Sequence, residues 1–207
     1  MNILSEIGNI PVDFAILKSM YPDLVSVHNK ISELEKFGKI IRLKKGLYVV
    51  SPEVSSKLLS LELIANHMYG PSYVSKESAL RYYGLIPESV YTIQSMTTKH
   101  TRHFYNTLGK FEYTQCSQEY FAIGIRQEVR TDIAFLIATP EKALCDLIID
   151  TPKLNLRFQK EIITYLEENL RFDMNAFYKM NTNIFEQCAL HGKKKTTITT
   201  IIKILKR

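Results

Sequence analysis

The chain has 207 residues, 45% of them hydrophobic and 23% charged, with 8 Gly and 7 Pro, a globular composition that excludes a disordered, fibrous or low-complexity protein. Its net charge of +6 favours an anionic partner, and the excess sits at the ends: residues 1–50 carry seven Lys/Arg against five Asp/Glu, residues 51–190 carry 14 against 16, and residues 191–207 carry six against none. The opening run MNILSEIGNIPVDF lacks the basic start and apolar core of a signal peptide, and no stretch reaches the ~18 uninterrupted apolar residues of a membrane span, so a cytoplasmic protein without a membrane partner is expected.

Residues 12–20 place Val12, Ala15, Ile16 and Met20 at helical spacing after Pro11, and Tyr21-Pro22-Asp23 breaks that helix. From Val25 to Phe37 the apolar set Val27, Ile31, Leu34 and Phe37 marks one face of a second helix, which Gly38 ends. Ile40 to Leu43 and Leu47 to Val50 are β-rich runs around the basic turn Lys44-Lys45-Gly46. A helix is predicted near Ser56–Met68, then a short extended stretch over residues 70–75, then a helix Lys76–Tyr83 with Ser75 as its N-cap and Gly84 as its stop. Four strand-like runs follow, Val90–Thr98, Lys110–Gln115, Tyr120–Arg126 and Ile133–Ala138. Thr139-Pro140 opens a helix to about residue 149, and further helices are predicted near 157–170, 174–180, 183–190 and 194–206.

Helix, short break, helix, hairpin is the order of a winged helix-turn-helix, whose second helix enters the major groove. Ser26, His28 and Asn29 lie off the apolar face of the 25–37 helix, near its N-terminal end, and are candidates for reading base edges. Lys30, Arg42, Lys44 and Lys45 are candidates for phosphate contacts. Glu33 and Glu35 oppose this reading. The alternative is a protein-interaction module in which the same unit mediates dimerisation or docking without DNA. At the other end, Lys193, Lys194 and Lys195, with Lys203, Lys206 and Arg207, suit a second phosphate-binding surface, a membrane-surface helix, or an amphipathic helix docked on the core.

Catalytic chemistry has poor candidates. Lys99-His100-Thr101-Arg102-His103 has no nearby carboxylate or cysteine to complete a metal set and reads as a surface or nucleic-acid-facing basic segment. Glu141 and Asp146 are five apart and read as solvated or capping charges. Cys116, Cys145 and Cys188 are widely spaced and read as buried small hydrophobes. No GxxxxGK[ST], GxGxxG, GxSxG or HExxH is present, so neither a catalytic site nor a metal or cofactor is expected, and a nucleic-acid-processing enzyme would need a carboxylate cluster that only folding could assemble.

Three segments taken together, Lys39–Val49, Gly70–Leu80 with Tyr83–Pro87, and Ala138–Leu147, resemble the successive signatures of AbiEi-type antitoxins. The resemblance covers about residues 10–150 and leaves 151–207 unmatched. It implies an N-terminal winged helix-turn-helix and a larger antitoxin domain in a transcriptional regulator from a type IV toxin-antitoxin, or abortive-infection, operon. Such a regulator represses its own promoter at repeated sites and counters a nucleotidyltransferase-like toxin without a stable direct complex. On this chain the DNA-reading helix falls on Ser26–Phe37 and the wing on Arg42–Leu47.

The expected architecture is α+β: a winged helix-turn-helix at residues 1–52, then at 53–207 a mixed α/β antitoxin-like domain with a helical C-terminus. The expected partner is double-stranded DNA of its own promoter.

Overall fold

A computed structural model describes residues 3–87 and 91–206. The chain starts with α1 (Ile3–Ile7), β1 (Val12–Asp13), α2 (Phe14–Ser19), α3 (Val27–Lys36) and the hairpin β2 (Ile40–Lys44) and β3 (Leu47–Val50). Helix α1 was not expected from the sequence. Val12 is not helical: it pairs with Tyr48 in a three-stranded sheet of order β1, β3, β2. Helix α2 starts after it because the Asp13 carboxylate accepts the Ile16 amide at 2.9 Å.

Helix α3 follows its periodicity, with Val27, Ile31 and Leu34 buried, but Phe37 is 64% exposed. The helix has already ended there. Gly38 takes φ +66°, and the Lys39 amide turns back to the Leu34 carbonyl at 2.8 Å, a reversal that glycine makes without steric cost.

The rest of the chain comprises α4 (Pro52–Ser55), α5 (Leu61–Met68), β4 (Ser72–Val74), α6 (Lys76–Tyr82), β5 (Thr92–Thr97), β6 (Arg102–Asn106), β7 (Gly109–Gln115), α7 (Gln118–Phe121), β8 (Ile125–Arg130) and β9 (Ile133–Ala138). After these come α8 (Pro140–Asp150), α9 (Gln159–Thr164) with a π-helical turn at Tyr165–Asn169, α10 (Met174–Phe177), α11 (Thr182–His191) and α12 (Lys195–Leu205). The second sheet is mixed and six-stranded, in the order β6, β7, β5, β4, β9, β8, with parallel pairing at β5/β7 and β4/β9. The fold is α+β. No helix among the described residues is long and apolar enough to cross a membrane.

Local capping explains where the elements depart from expectation. The helix predicted over Ser56–Met68 starts only at Leu61, because the Ser60 hydroxyl accepts the Leu63 amide at 3.1 Å. The strand predicted over Tyr120–Arg126 is instead α7 followed by β8, since Ser117 caps a helical turn through the Tyr120 amide at 3.3 Å. Val90, the start of another predicted strand, lies outside the described residues, and β5 begins at Thr92. Strand β6 occupies the basic segment around Arg102, and β4 is the extended stretch before Ser75.

The hairpin joins two cores. Ile40, Tyr48 and Val50 pack with Leu4, Leu17, Val27, Ile31 and Leu34. Leu43 and Val49 belong to the large core of the six-stranded sheet, and Ile41 and Leu47 pack against it. Strand alternation puts these two sets on opposite faces. Residues 1–52 therefore share apolar contacts with 53–207. Asn106 adds a hydrogen bond, its Nδ2 donating to the Leu43 carbonyl at 3.1 Å.

Helix α8 is buried on nearly every side from Lys142 to Ile148, which corrects the reading of Asp146 as a solvated or capping charge. With no solvent to reach, the carboxylate is satisfied internally: it accepts Ser75 Oγ at 2.6 Å, Tyr73 OH at 3.1 Å and Tyr120 OH at 2.7 Å. It also pairs with Lys142 Nζ at 3.1 Å, one helical turn away. Lys142 itself is fully buried and donates to the Tyr120 carbonyl at 3.0 Å. Glu141 does cap, accepting the Asn181 amide at 3.0 Å. Of the three cysteines, Cys145 and Cys188 are buried and Cys116 is only partly so.

Two outcomes follow from this packing. Leu43→Ala, on the hairpin, should cost about 2–5 kcal/mol and lower a single calorimetric transition of the whole chain; two transitions, only one of them shifted, would refute the shared core. Tyr73, Tyr83, Tyr113 and Tyr120 each donate their hydroxyl to a fixed acceptor, and burial raises all four phenols, Tyr83 to about 12. The folded state thus holds protons that the unfolded chain releases near pH 10. Stability should be intact below about pH 10 and fall above it by about 1.4 kcal/mol per pH unit for each such tyrosine until its folded pKa is reached. Urea titrations at neutral pH and at about pH 11 read the difference, and equal unfolding free energies would contradict it.

Candidate nucleic-acid interface

Helix α3 buries Val27, Ile31 and Leu34 against α1, α2 and the hairpin. Because its apolar stripe is inward, its polar side faces solvent, and Ser26, His28 and Asn29 are exposed near its start. Ser26 is the N-cap residue but makes no capping hydrogen bond through its side chain. His28 stacks on Phe14 of α2, ring centroids 4.4 Å apart and planes 25° from parallel, so its ring is oriented by the preceding helix. Lys30 forms an ion pair with Glu33 at 3.1 Å, along the helix.

The hairpin carries the other basic residues. Arg42 pairs with Glu35 of α3 at 3.0 Å and lies 5.7 Å from the Tyr48 ring centroid, which ties β2 to the last turn of the helix. Both partners of that pair are more than a third exposed, so the bond is worth roughly 0–1 kcal/mol and is readily exchanged for another anion.

Lys45 is exposed at the tip, next to Gly46 at φ +76°. Lys44 behaves differently. Its ammonium donates to the Met68 carbonyl at the end of α5, and burial, followed by Arg102 and Lys99, lowers its pKa. The hairpin tip is therefore half docked on the larger sheet, with Lys45 outward and Lys44 turned across the seam.

Among the described residues, Ser26, Asn29 and Lys45 have no side-chain hydrogen bond, ion pair or ring contact. The structure brings these three together with His28, Lys30 and Arg42 on the α3 and hairpin side of the small sheet.

Lys193, Lys194 and Lys195 are not gathered there, nor do they point the same way. Lys194, at φ +54°, donates its ammonium to the Ile148 and Thr151 carbonyls at 2.8 and 2.6 Å, a partly buried cation closing the C-terminus of α8. Lys193 and Lys195 are exposed, and Lys206 pairs with Glu186 at 2.8 Å. Arg207 lies outside the described residues. The apolar side of α12, Ile198 and Ile201, is fully buried, so this helix is docked on the core.

Sequence reasoning did not anticipate that Lys44 reaches into a group formed by Lys99 and Arg102 on the larger sheet. The only signal was the basic run 99–103 itself, and no local pattern announces that a strand there pairs with β7 beside the hairpin. Compared with known proteins, the chain matches no protein-family model and no curated protein.

Proposed function

We propose that this chain is a DNA-binding transcriptional regulator that represses its own operon and acts as the antitoxin of a type IV toxin-antitoxin system. The observation that carries the DNA-binding part is the outward presentation of unpartnered Ser26 and Asn29 at the N-terminal end of α3, beside a hairpin whose tip is the exposed Lys45. The order helix, strand, helix, helix, hairpin with a three-stranded sheet supports reading residues 1–52 as a winged helix-turn-helix, α3 as the helix in the major groove and the hairpin as the wing. Asn29 and Ser26 then supply base contacts, with His28 held on Phe14; Lys45 and Arg42 supply phosphate contacts, Arg42 by exchanging Glu35 for a phosphate. The antitoxin part rests on the resemblance of Lys39–Val49, Gly70–Leu80 with Tyr83–Pro87, and Ala138–Leu147 to AbiEi-type proteins. Its partners in this reading are double-stranded promoter DNA and a nucleotidyltransferase-like toxin that it counters without a stable complex.

A second reading has one observation in its favour. Leu24 and Val25, just before α3, and Ile16 of α2 are exposed apolar residues, which suits a protein-docking or dimerisation surface. Salt separates the two, because phosphate contacts release counterions and an apolar interface does not.

Fluorescence polarisation against the chain's own upstream duplex and a shuffled duplex should give tighter binding to the former, weakening steeply with salt. Asn29→Ala should remove about 1–3 kcal/mol of the discrimination between them. Glu35→Gln, which frees Arg42, should tighten binding to both duplexes. Absence of binding at low salt would end the DNA reading and leave the docking surface.

A further inference from the structure

Lys44, Lys99 and Arg102 converge on one pair of rings. Tyr69, at the end of α5, and Phe104 of β6 have centroids 5.7 Å apart. The Arg102 guanidinium lies 5.1 Å from the Phe104 centroid and 5.9 Å from that of Tyr69. Lys99 Nζ is 5.4 Å from Tyr69, and Lys44 Nζ is 5.8 Å from Phe104. The rings hold the cations through their negative faces and fix where they sit.

Among the described residues none of the three forms an ion pair. Glu112, the carboxylate paired in register with His103 on the neighbouring strand, is taken by Lys110 and His103. Alternation along β6 places His103 on the opposite face from Arg102 and Phe104. Burial first, and then Arg102 and Lys99, hold the Lys44 ammonium below its ordinary range, as expected where like charges sit near a partly covered cation.

Lys99 and Arg102 are exposed, whereas Lys44 is partly covered and spends one of its donors on the Met68 carbonyl. Three converging cations with open donors and, among the described residues, no counter-anion form a preorganised anion site, and the guanidinium fork suits phosphate oxygens. Lys45, exposed at the hairpin tip, is the next residue in the chain after Lys44, so the group adjoins the hairpin whose other side packs on α3.

We propose that Lys99 and Arg102, together with Lys44, form a second phosphate-contact site on the 53–207 unit, gripping the backbone of the same DNA duplex whose bases α3 reads. This rests on the DNA-binding reading above and extends it. The footprint then covers both units, and the docked hairpin fixes the angle between them.

The test is a salt series of polarisation titrations with the upstream and shuffled duplexes, using the full chain. For Lys99→Gln with Arg102→Gln, binding to both duplexes should weaken alike, and the slope of log K against log salt should shrink by about 2, roughly 0.9 per lost contact. Lys99→Gln alone should shrink it by about half that. Lys160→Gln with Lys179→Gln removes the same charge from exposed sites elsewhere and should leave the slope unchanged. If the wild type binds and the 99/102 variant keeps its slope, or if the 160/179 variant loses as much, the second site is refuted while the α3 reading stands. If the wild type does not bind either duplex at low salt, both fall.

Discussion

The two-sided burial of one hairpin holds this molecule together. Ile40, Tyr48 and Val50 close the small core, while Leu43 and Val49 enter the large one. A two-stranded ribbon exposed on both faces is marginal in water, and here neither face is exposed along its length. The same arrangement restricts what the hairpin offers to a partner: its body is structural, and Arg42 and Lys45 are its exposed side chains.

That restriction orders the basic residues by how free they are. Lys45 is open, Arg42 and Lys30 are held by weak exposed ion pairs, Lys44 is docked on the Met68 carbonyl, and Lys194 is spent at the end of α8. A count of lysines treats them all alike. The energetics do not, because an exposed pair exchanges its anion at little cost whereas withdrawing a cation from buried carbonyls leaves those acceptors unsatisfied. The +6 net charge is thus a poor guide to where free cations sit: the lysine-rich tail spends Lys194 on α8, whereas Lys99 and Arg102 stay exposed.

Inside the larger unit the chain accepts a buried ion pair, Lys142 with Asp146, enclosed by Tyr73, Ser75 and Tyr120. Such a cluster is tolerated only when each lone pair and proton finds a partner. It links β4, the start of α6, α7 and α8, which are distant in the chain.

Local physics made much of this legible in the amino-acid order. The 3.6-residue spacing of Val27, Ile31 and Leu34, the Gly38 stop, the Lys44–Gly46 turn, the Ser75 and Thr139 helix starts and the apolar side of α12 are short-range features, and each appears where its pattern places it. The outward side of α3, with Ser26 and Asn29, follows from the same periodicity. Only the tertiary structure decided that Val12 joins a sheet through Tyr48, that Asp146 is buried, that Lys44 and Lys194 turn inward, and that Arg102 stands beside Lys44. Each of these depends on a contact between residues far apart in the chain, and periodicity specifies which face of an element is apolar without specifying which distant face will cover it.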